Sequence, residues 1–244
     1  MASPLEQFTI VPIVDIEVAN IDISFTNSSL WMAITAAVLV VFMIVSTQRR
    51  ALVPGRMQAS AEYFYQIIAD MVRDNVGSQG RPYFPFIFSL FMFIMFGNLL
   101  GLIPGAFTFT SHLAVTFAMA AFVFVGVTII GLVKHGFKFF SLFFPHGAPI
   151  VSAPVLIPIE IISYFSRPIS LSVRLFANMT VGHVLLKVIG GGVVALGGFW
   201  VLPGLLPLAF LVAITLLEVM IAVIQAYVFA ILTCVYLNDA LHLH

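Results

Sequence analysis

The chain has 244 residues, of which 61% are hydrophobic and only 8% charged, against about 25% charged in soluble domains. A soluble core could not hide that much apolar surface, whereas lipid can surround it. Ten Lys and Arg balance ten Asp and Glu, so no basic excess exists to hold nucleic acid.

The lone Cys234 excludes an internal disulfide framework and a Cys-rich metal site, and reads as a small apolar helix residue. No metal and no resident cofactor are expected. The first residues show neither the basic start and short apolar core of a signal peptide nor an Arg-rich transit pattern. The chain is therefore expected to enter the membrane through its own helices. The fold class is an all-α membrane protein with about five transmembrane helices plus one interfacial amphipathic helix, forming a single integral membrane domain over residues 1–244.

Residues 1–29 hold Glu6, Asp15, Glu17 and Asp22 and no Lys or Arg. Residues 30–48 are uncharged and long enough to cross about 30 Å of hydrocarbon, which makes them the first span. Arg49, Arg50 and Arg56 follow, so the positive-inside rule puts the N-terminal segment outside and these arginines inside. Residues 57–76 change character. Phe64, Ile67, Ile68, Met71, Val72 and Val76 fall on one helical face, and Glu62, Gln66, Asp70, Arg73 and Asp74 on the other, with Gly77 as a stop. This is an amphipathic helix at the inner interface; a soluble hairpin arm is the competing reading.

From Pro82 to Val133 there is no Asp, Glu, Lys or Arg. That is too long for one span, and GLIPG with TFTSH supplies the break. Residues 84–133 thus form a helical hairpin of two spans, near 84–103 and 112–133, returning to the inner side at Lys134 and Lys138. Gly97, Gly101 and Gly105 recur every fourth residue, which suits close helix packing. Residues 139–158 contain Pro145, Pro149, Pro154 and Pro158 and read as an irregular connector at the interface. Residues 155–238 form a long tilted hairpin of two helices, about 155–190 and 204–238, joined by GGGVVALGGFWVLPG. That glycine cluster is no nucleotide loop, because no strand precedes it and no Gly-Lys-Ser/Thr follows. The first of these helices, about 54 Å long at 1.5 Å per residue, must tilt or bend. No internal repeat suggests the inverted halves of a secondary transporter.

The informative stretch is PIEIISYFSRPISLSVRLFANMTVGHVLLKV, residues 158–188. Glu160, Ser163, Arg167, Ser170, Arg174 and Asn178 are spaced by three or four and so share one helix face. Arg167 is near enough to the inner end to snorkel, but Arg174 lies two turns deeper. An arginine at that depth costs about 2.5–3.5 kcal/mol on insertion scales, and it cannot shed its proton. The bland alternative is a salt bridge that fixes packing. Glu160 and Glu218 are the carboxylates read as lying near membrane depth, and Glu160 is about 21 Å away along the same helix. Glu218 remains open as a partner. The second long helix carries Glu218, Gln225 and Tyr236 on nearly one face. In an antiparallel hairpin, level residues have position numbers of nearly constant sum, which sets Arg174 level with Gln225 and His183 level with Glu218. His183 comes nine residues after Arg174 and faces about 180° away from it. One arginine thus separates two polar regions.

The run SLSVRLFANMTVGH, followed by Glu218 and IQAYVFAILTCVYL, together with GNLLGLIPG at 97–105 and PIEIISYFSRPISL at 158–171, resembles subunit a of the F-type ATP synthases over nearly the whole chain. The resemblance implies a non-catalytic, proton-conducting stator subunit with no nucleotide site of its own. It would sit beside a ring of c subunits, each carrying a membrane carboxylate, and beside peripheral-stalk b subunits. A bacterial inner membrane is implied, with the mitochondrial inner membrane as the alternative. In the family's motif the arginine matches Arg174, the following asparagine Asn178, and the glutamine of the next helix Gln225. An acid and a histidine occupy the positions of His183 and Glu218 in either order among members, and here the histidine comes first.

Physical chemistry agrees with that implication. A ring carboxylate facing lipid must be neutral, since an unpaired buried charge is prohibitive, whereas Arg174 beside it favours the ionised form. Proton release is thereby forced on one side, and a direct leak between two half-channels is blocked. Glu160, Ser163 and Ser170 suit an inner half-channel, with Asn178 further along it. His183 and Glu218, both able to exchange protons, suit the outer one. Two other classes stay open: a secondary transporter whose arginine binds an anionic substrate, and a structural scaffold that would tolerate Arg174→Ala. A catalytic site is not apparent, because no set of nucleophile, base and oxyanion donors can be assembled.

Overall fold

The computed structural model describes all residues except 1–7, 16, 19–20, 23, 49–50, 52, 104, 144–152, 198–200 and 243–244. Glu6, Arg49, Arg50, Pro145 and Pro149 therefore lie outside the described residues. Among the described residues six α-helices carry the fold: α1 Asn27–Gln48, α2 Arg56–Val76, α3 Phe84–Gly101, α4 Leu113–His135, α5 Ala153–Gly197 and α6 Val201–Leu241. Five stretches of the described residues are long and apolar enough to cross a membrane, with α2 and α3 together in one of them. The chain is a multi-pass, all-α membrane protein.

Some boundaries differ from the sequence reading. Helix α5 runs on through Gly190, Gly191 and Gly192 to Gly197. In lipid every backbone N–H and C=O needs a partner within the segment, so glycines that would break a helix in water do not break this one. The helix also begins earlier, at Ala153, with Pro154 in its first turn, where a missing N–H costs nothing, and with Pro158 and Pro168 inside. The connector expected over 139–158 is thus partly helical: a 3-10 stretch covers Gly136–Phe143 and α5 takes its end.

The N-terminal segment holds two small antiparallel ladders that the sequence reading did not foresee. β1 (Pro12–Val14) pairs with β4 (Phe25–Thr26), and β2 (Glu17–Val18) pairs with β3 (Ile21–Asp22). The alternation in VDIEV and NIDIS is the period-two signal for them. Asn27 joins this segment to α1. Its side chain donates to the Thr9 carbonyl at 3.1 Å and accepts from the Ser28 amide at 2.9 Å, while Thr26 Oγ1 accepts from the Ser29 amide at 3.4 Å and caps the helix start.

The chain divides into two compact units. One comprises residues 1–48, 92–112 and 175–227. Here Phe42 of α1 meets Phe96 of α3 at 5.3 Å, and the chain after α3 folds back on that helix. The ring of Phe109 lies against Gly97, and Thr108 lies against Gly101, where an added Cβ would stand 2.5 Å from the Thr108 hydroxyl. The glycines expected to serve helix packing therefore receive a re-entrant turn, residues 107–111, all of it buried. Gly105, at φ 89°, makes the reversal that only glycine adopts without strain. The other unit comprises 49–91, 113–174 and 228–244. In it the apolar face of α2 is buried at Ile68, Met71, Val72 and Val76, each worth about 1.5–3 kcal/mol against exposure to water. Glu62, Gln66, Arg73 and Asp74 stay exposed on the opposite face. Lys134, at the end of α4, bonds the Gln79 side chain and the Leu241 carbonyl that closes α6.

Candidate functional site

Helix α5 presents two faces of opposite character. Ser163, Ser170, Arg174 and Asn178 are exposed, with Glu160 and Arg167 half-buried along the same stripe. Leu171, Leu175 and Met179 are 1% exposed or less, and His183 continues that buried side. The 3.6-residue period places these two sets on different faces, although Ser172 is buried and Ile169, Val173 and Val181 are exposed. Arg174 forms no ion pair and no hydrogen bond among the described residues. A permanent cation is held on an outer face of a membrane helix, where lipid or another chain must cover it.

Asn178 donates from Nδ2 to Gln225 Oε1 at 2.7 Å. Gln225, read from the sequence as level with Arg174, thus takes its hydrogen bond from Asn178. Its own amide Nε2 is buried without a partner among the described residues.

His183 and Glu218 come together. His183 Nδ1 stands 3.9 Å from Glu218 Oε1, beyond direct hydrogen-bond reach. Glu218 is only 1% exposed, and neither carboxyl oxygen has a hydrogen-bond partner among the described residues. A carboxyl so enclosed is costly to ionise without a partner. Gly182 makes the approach feasible, because a Cβ there would lie 2.5 Å from Glu218 Oε1. Beside the carboxyl a cavity of about 300 Å3 opens between α5 and α6, lined by Asn178, Val181, Gly182, Leu217, Glu218 and Ile221 among others. It has room for several waters. Nothing in the sequence pointed to Thr108, yet its hydroxyl lies 2.9 Å from His183 Nε2 and donates to the Gly101 carbonyl at 3.0 Å. Thr180 of α5 bonds the Ser111 carbonyl of the same turn at 3.2 Å. His112, at the end of that turn, stacks on Phe107 at 5.0 Å. Burial holds its imidazole below its ordinary value.

Arg167 does not snorkel free. It pairs with Asp239 at 2.8 Å, and its guanidinium stands over the rings of Tyr164 and Tyr236 at 5.5 and 5.2 Å. Tyr164 in turn shares a 2.6 Å hydrogen bond with Thr128 of α4. Asp239 was missed because the second long helix was ended at 238. Continued by one turn, the register that faces His183 with Glu218 would bring Asp239 close to Arg167. Among the described residues, no cluster of three or more His, Cys, Asp or Glu could hold a metal.

Residues 29–238 match the family described as ATP synthase A chain. The chain is 62% identical to an ATP synthase subunit a from Paramagnetospirillum magneticum, over 100% of both chains. It is 57% identical to one from Rhodospirillum rubrum, again over 100% of both. A third, from Pelagibacter ubique, is 52% identical over 99% of this chain and 98% of its own.

Proposed function

The chain belongs to the ATP synthase A chain family, and on that premise we propose how its residues divide the work. As a member it is the proton-conducting stator subunit of the F-type ATP synthase, working within the membrane sector of that complex. Its neighbours there are a ring of c subunits with a membrane carboxylate each and the peripheral-stalk b subunits. The membrane is a bacterial inner membrane, in keeping with the bacterial source of the relatives. The anion-transporter reading draws no support from those relatives and is set aside.

One observation carries the division of labour. Arg174 stands on the exposed face of α5 with no counter-ion among the described residues, while His183 and Glu218 are buried. The missing counter-ion is a carboxylate of the passing ring. Beside the guanidinium that carboxylate is ionised; facing lipid it must carry a proton. Protons reach the ring on the outer side through His183 and Glu218, with the cavity beside Glu218 as the wet approach. They leave toward the inner side along Ser170, Ser163 and Glu160. Asn178, tied to Gln225, stands one turn beyond Arg174 and holds the boundary of the two paths. Each proton crossing 100 mV supplies about 2.3 kcal/mol, and the arginine prevents that energy from being lost in a direct leak.

The deciding experiment is Arg174→Ala in the assembled complex. ATP-driven acidification of inverted vesicles should vanish while the subunits still assemble. Arg174→Lys should rescue poorly, because a buried ammonium can lose its proton and lacks the planar fork. Normal acidification by the alanine variant would overturn the reading.

A further inference from the structure

We infer that Thr108, in the re-entrant turn after α3, is a positioning residue that fixes the tautomer of His183 and so selects the ring nitrogen that trades protons with Glu218. The inference rests on the reading that His183 and Glu218 exchange protons, and it adds a group that this reading does not contain.

The single hydrogen of the Thr108 hydroxyl decides the tautomer. A threonine hydroxyl has a single hydrogen and two lone pairs. Thr108 Oγ1 lies 3.0 Å from the Gly101 carbonyl, which can only accept, so the hydrogen goes there. That carbonyl ends α3, where the helix leaves it without an intrahelical amide, and both groups are buried. Taking the hydrogen elsewhere would orphan a buried carbonyl. The lone pairs that remain face His183 Nε2 at 2.9 Å, so Nε2 must carry the hydrogen. A neutral imidazole has one N–H, and its Nδ1 is therefore bare. Nδ1 is the nitrogen that faces Glu218 Oε1. The transfer is then defined: once Oε1 and Nδ1 close from 3.9 Å to hydrogen-bond distance, the Glu218 carboxyl gives its proton to Nδ1, leaving carboxylate and imidazolium, and Nδ1 later returns or passes on the same proton. The other hydrogen stays on Nε2, donated to Thr108 Oγ1, throughout.

The fold builds this geometry at some expense. Gly101 has no Cβ because one would collide with Thr108, and Gly182 has none because one would collide with Glu218. The turn is further tied to α5 by Thr180 and the Ser111 carbonyl, and closed on itself by Ser111 donating to the Thr108 carbonyl at 2.6 Å. Besides Glu218, the cation acting on His183 is Lys187, one turn on along α5, and the Phe8 ring lies edge-on at 6.4 Å.

Two measurements on the assembled complex test the inference. The first needs no change at Thr108. With 15N-labelled histidine, the His183 signals, assigned by their loss in His183→Gln, should show a protonated Nε2 and an unprotonated Nδ1 at neutral pH. The reverse tautomer would overturn the inference. The second compares Thr108→Val with Thr108→Ser at matched assembly. Valine keeps the shape and removes the acceptor, so ATP-driven pumping should fall about fivefold, the scale of one hydrogen bond, with its pH profile displaced. Serine should stay within about twofold and keep the profile. Equal losses for both variants, or none for valine, would also overturn it. The underlying reading fails separately, if His183→Gln pumps as well as the unchanged protein.

Discussion

The Arg167 guanidinium and the Asp239 carboxylate meet at 2.8 Å, between the rings of Tyr164 and Tyr236. The pair ties a residue early in α5 to the last turn of α6. Both side chains are about 30% exposed, at 27% and 32%, so they belong between surface pairs of small worth and buried pairs whose rupture is severe.

Asp239→Asn should therefore cost about 1–2 kcal/mol, and Arg167→Gln a similar amount, because each leaves a half-buried charge behind. The double change should be milder than the sum. Detergent melting of the complex containing each of the three variants checks this, and strict additivity would show that the pair is not a unit.

The stripe on α5 should be visible to water-borne reagents. Single cysteines at Ser163, Ser170 and Asn178, made in a Cys234→Ser background, should react with small thiol reagents, since the three native side chains are exposed. Cysteines at Leu171 and Leu175, 1% and 0% exposed, should be protected. Equal labelling of the two sets would remove the case for a water-lined stripe on α5.

His183 and Glu218 should behave as one titrating pair. His183→Glu sets two carboxyls side by side, and Glu218→His two imidazoles; both should cripple pumping. The double exchange should recover activity over either single change, a favourable coupling in a double-mutant cycle. Pumping by the four proteins at matched assembly decides it. A double exchange no better than the worse single change would leave Glu218 acting alone.

The spans were legible because lipid demands a plain signal: from Pro82 to Val133 no charge interrupts the chain; α3 lies inside that stretch, and α4 runs only two residues past it, ending on Lys134 and His135. The facing of His183 and Glu218 was legible too, since an antiparallel hairpin fixes which residues are level. Arg167 and Asp239 obey the same register and escaped only because the helix was ended one residue short. Thr108 is a different case. Its role depends on a turn doubling back on Gly97 and Gly101, and no periodicity encodes a reversal of that kind. Glycines every fourth residue look alike whether they receive a neighbouring helix or the chain's own next turn. Gln225 differs again: residues at one level compete, and Asn178 donates to the Gln225 side-chain oxygen that the register alone would have assigned to Arg174.

The exposed position of Arg174 also bears on biosynthesis. In a freshly inserted chain that charge meets lipid, at about 2.5–3.5 kcal/mol, until another subunit covers it. Relief of that cost on docking favours the finished complex over the orphan chain by about a hundredfold. The charge proposed to keep protons from leaking through the working machine would thus also help sort completed complexes from unfinished ones.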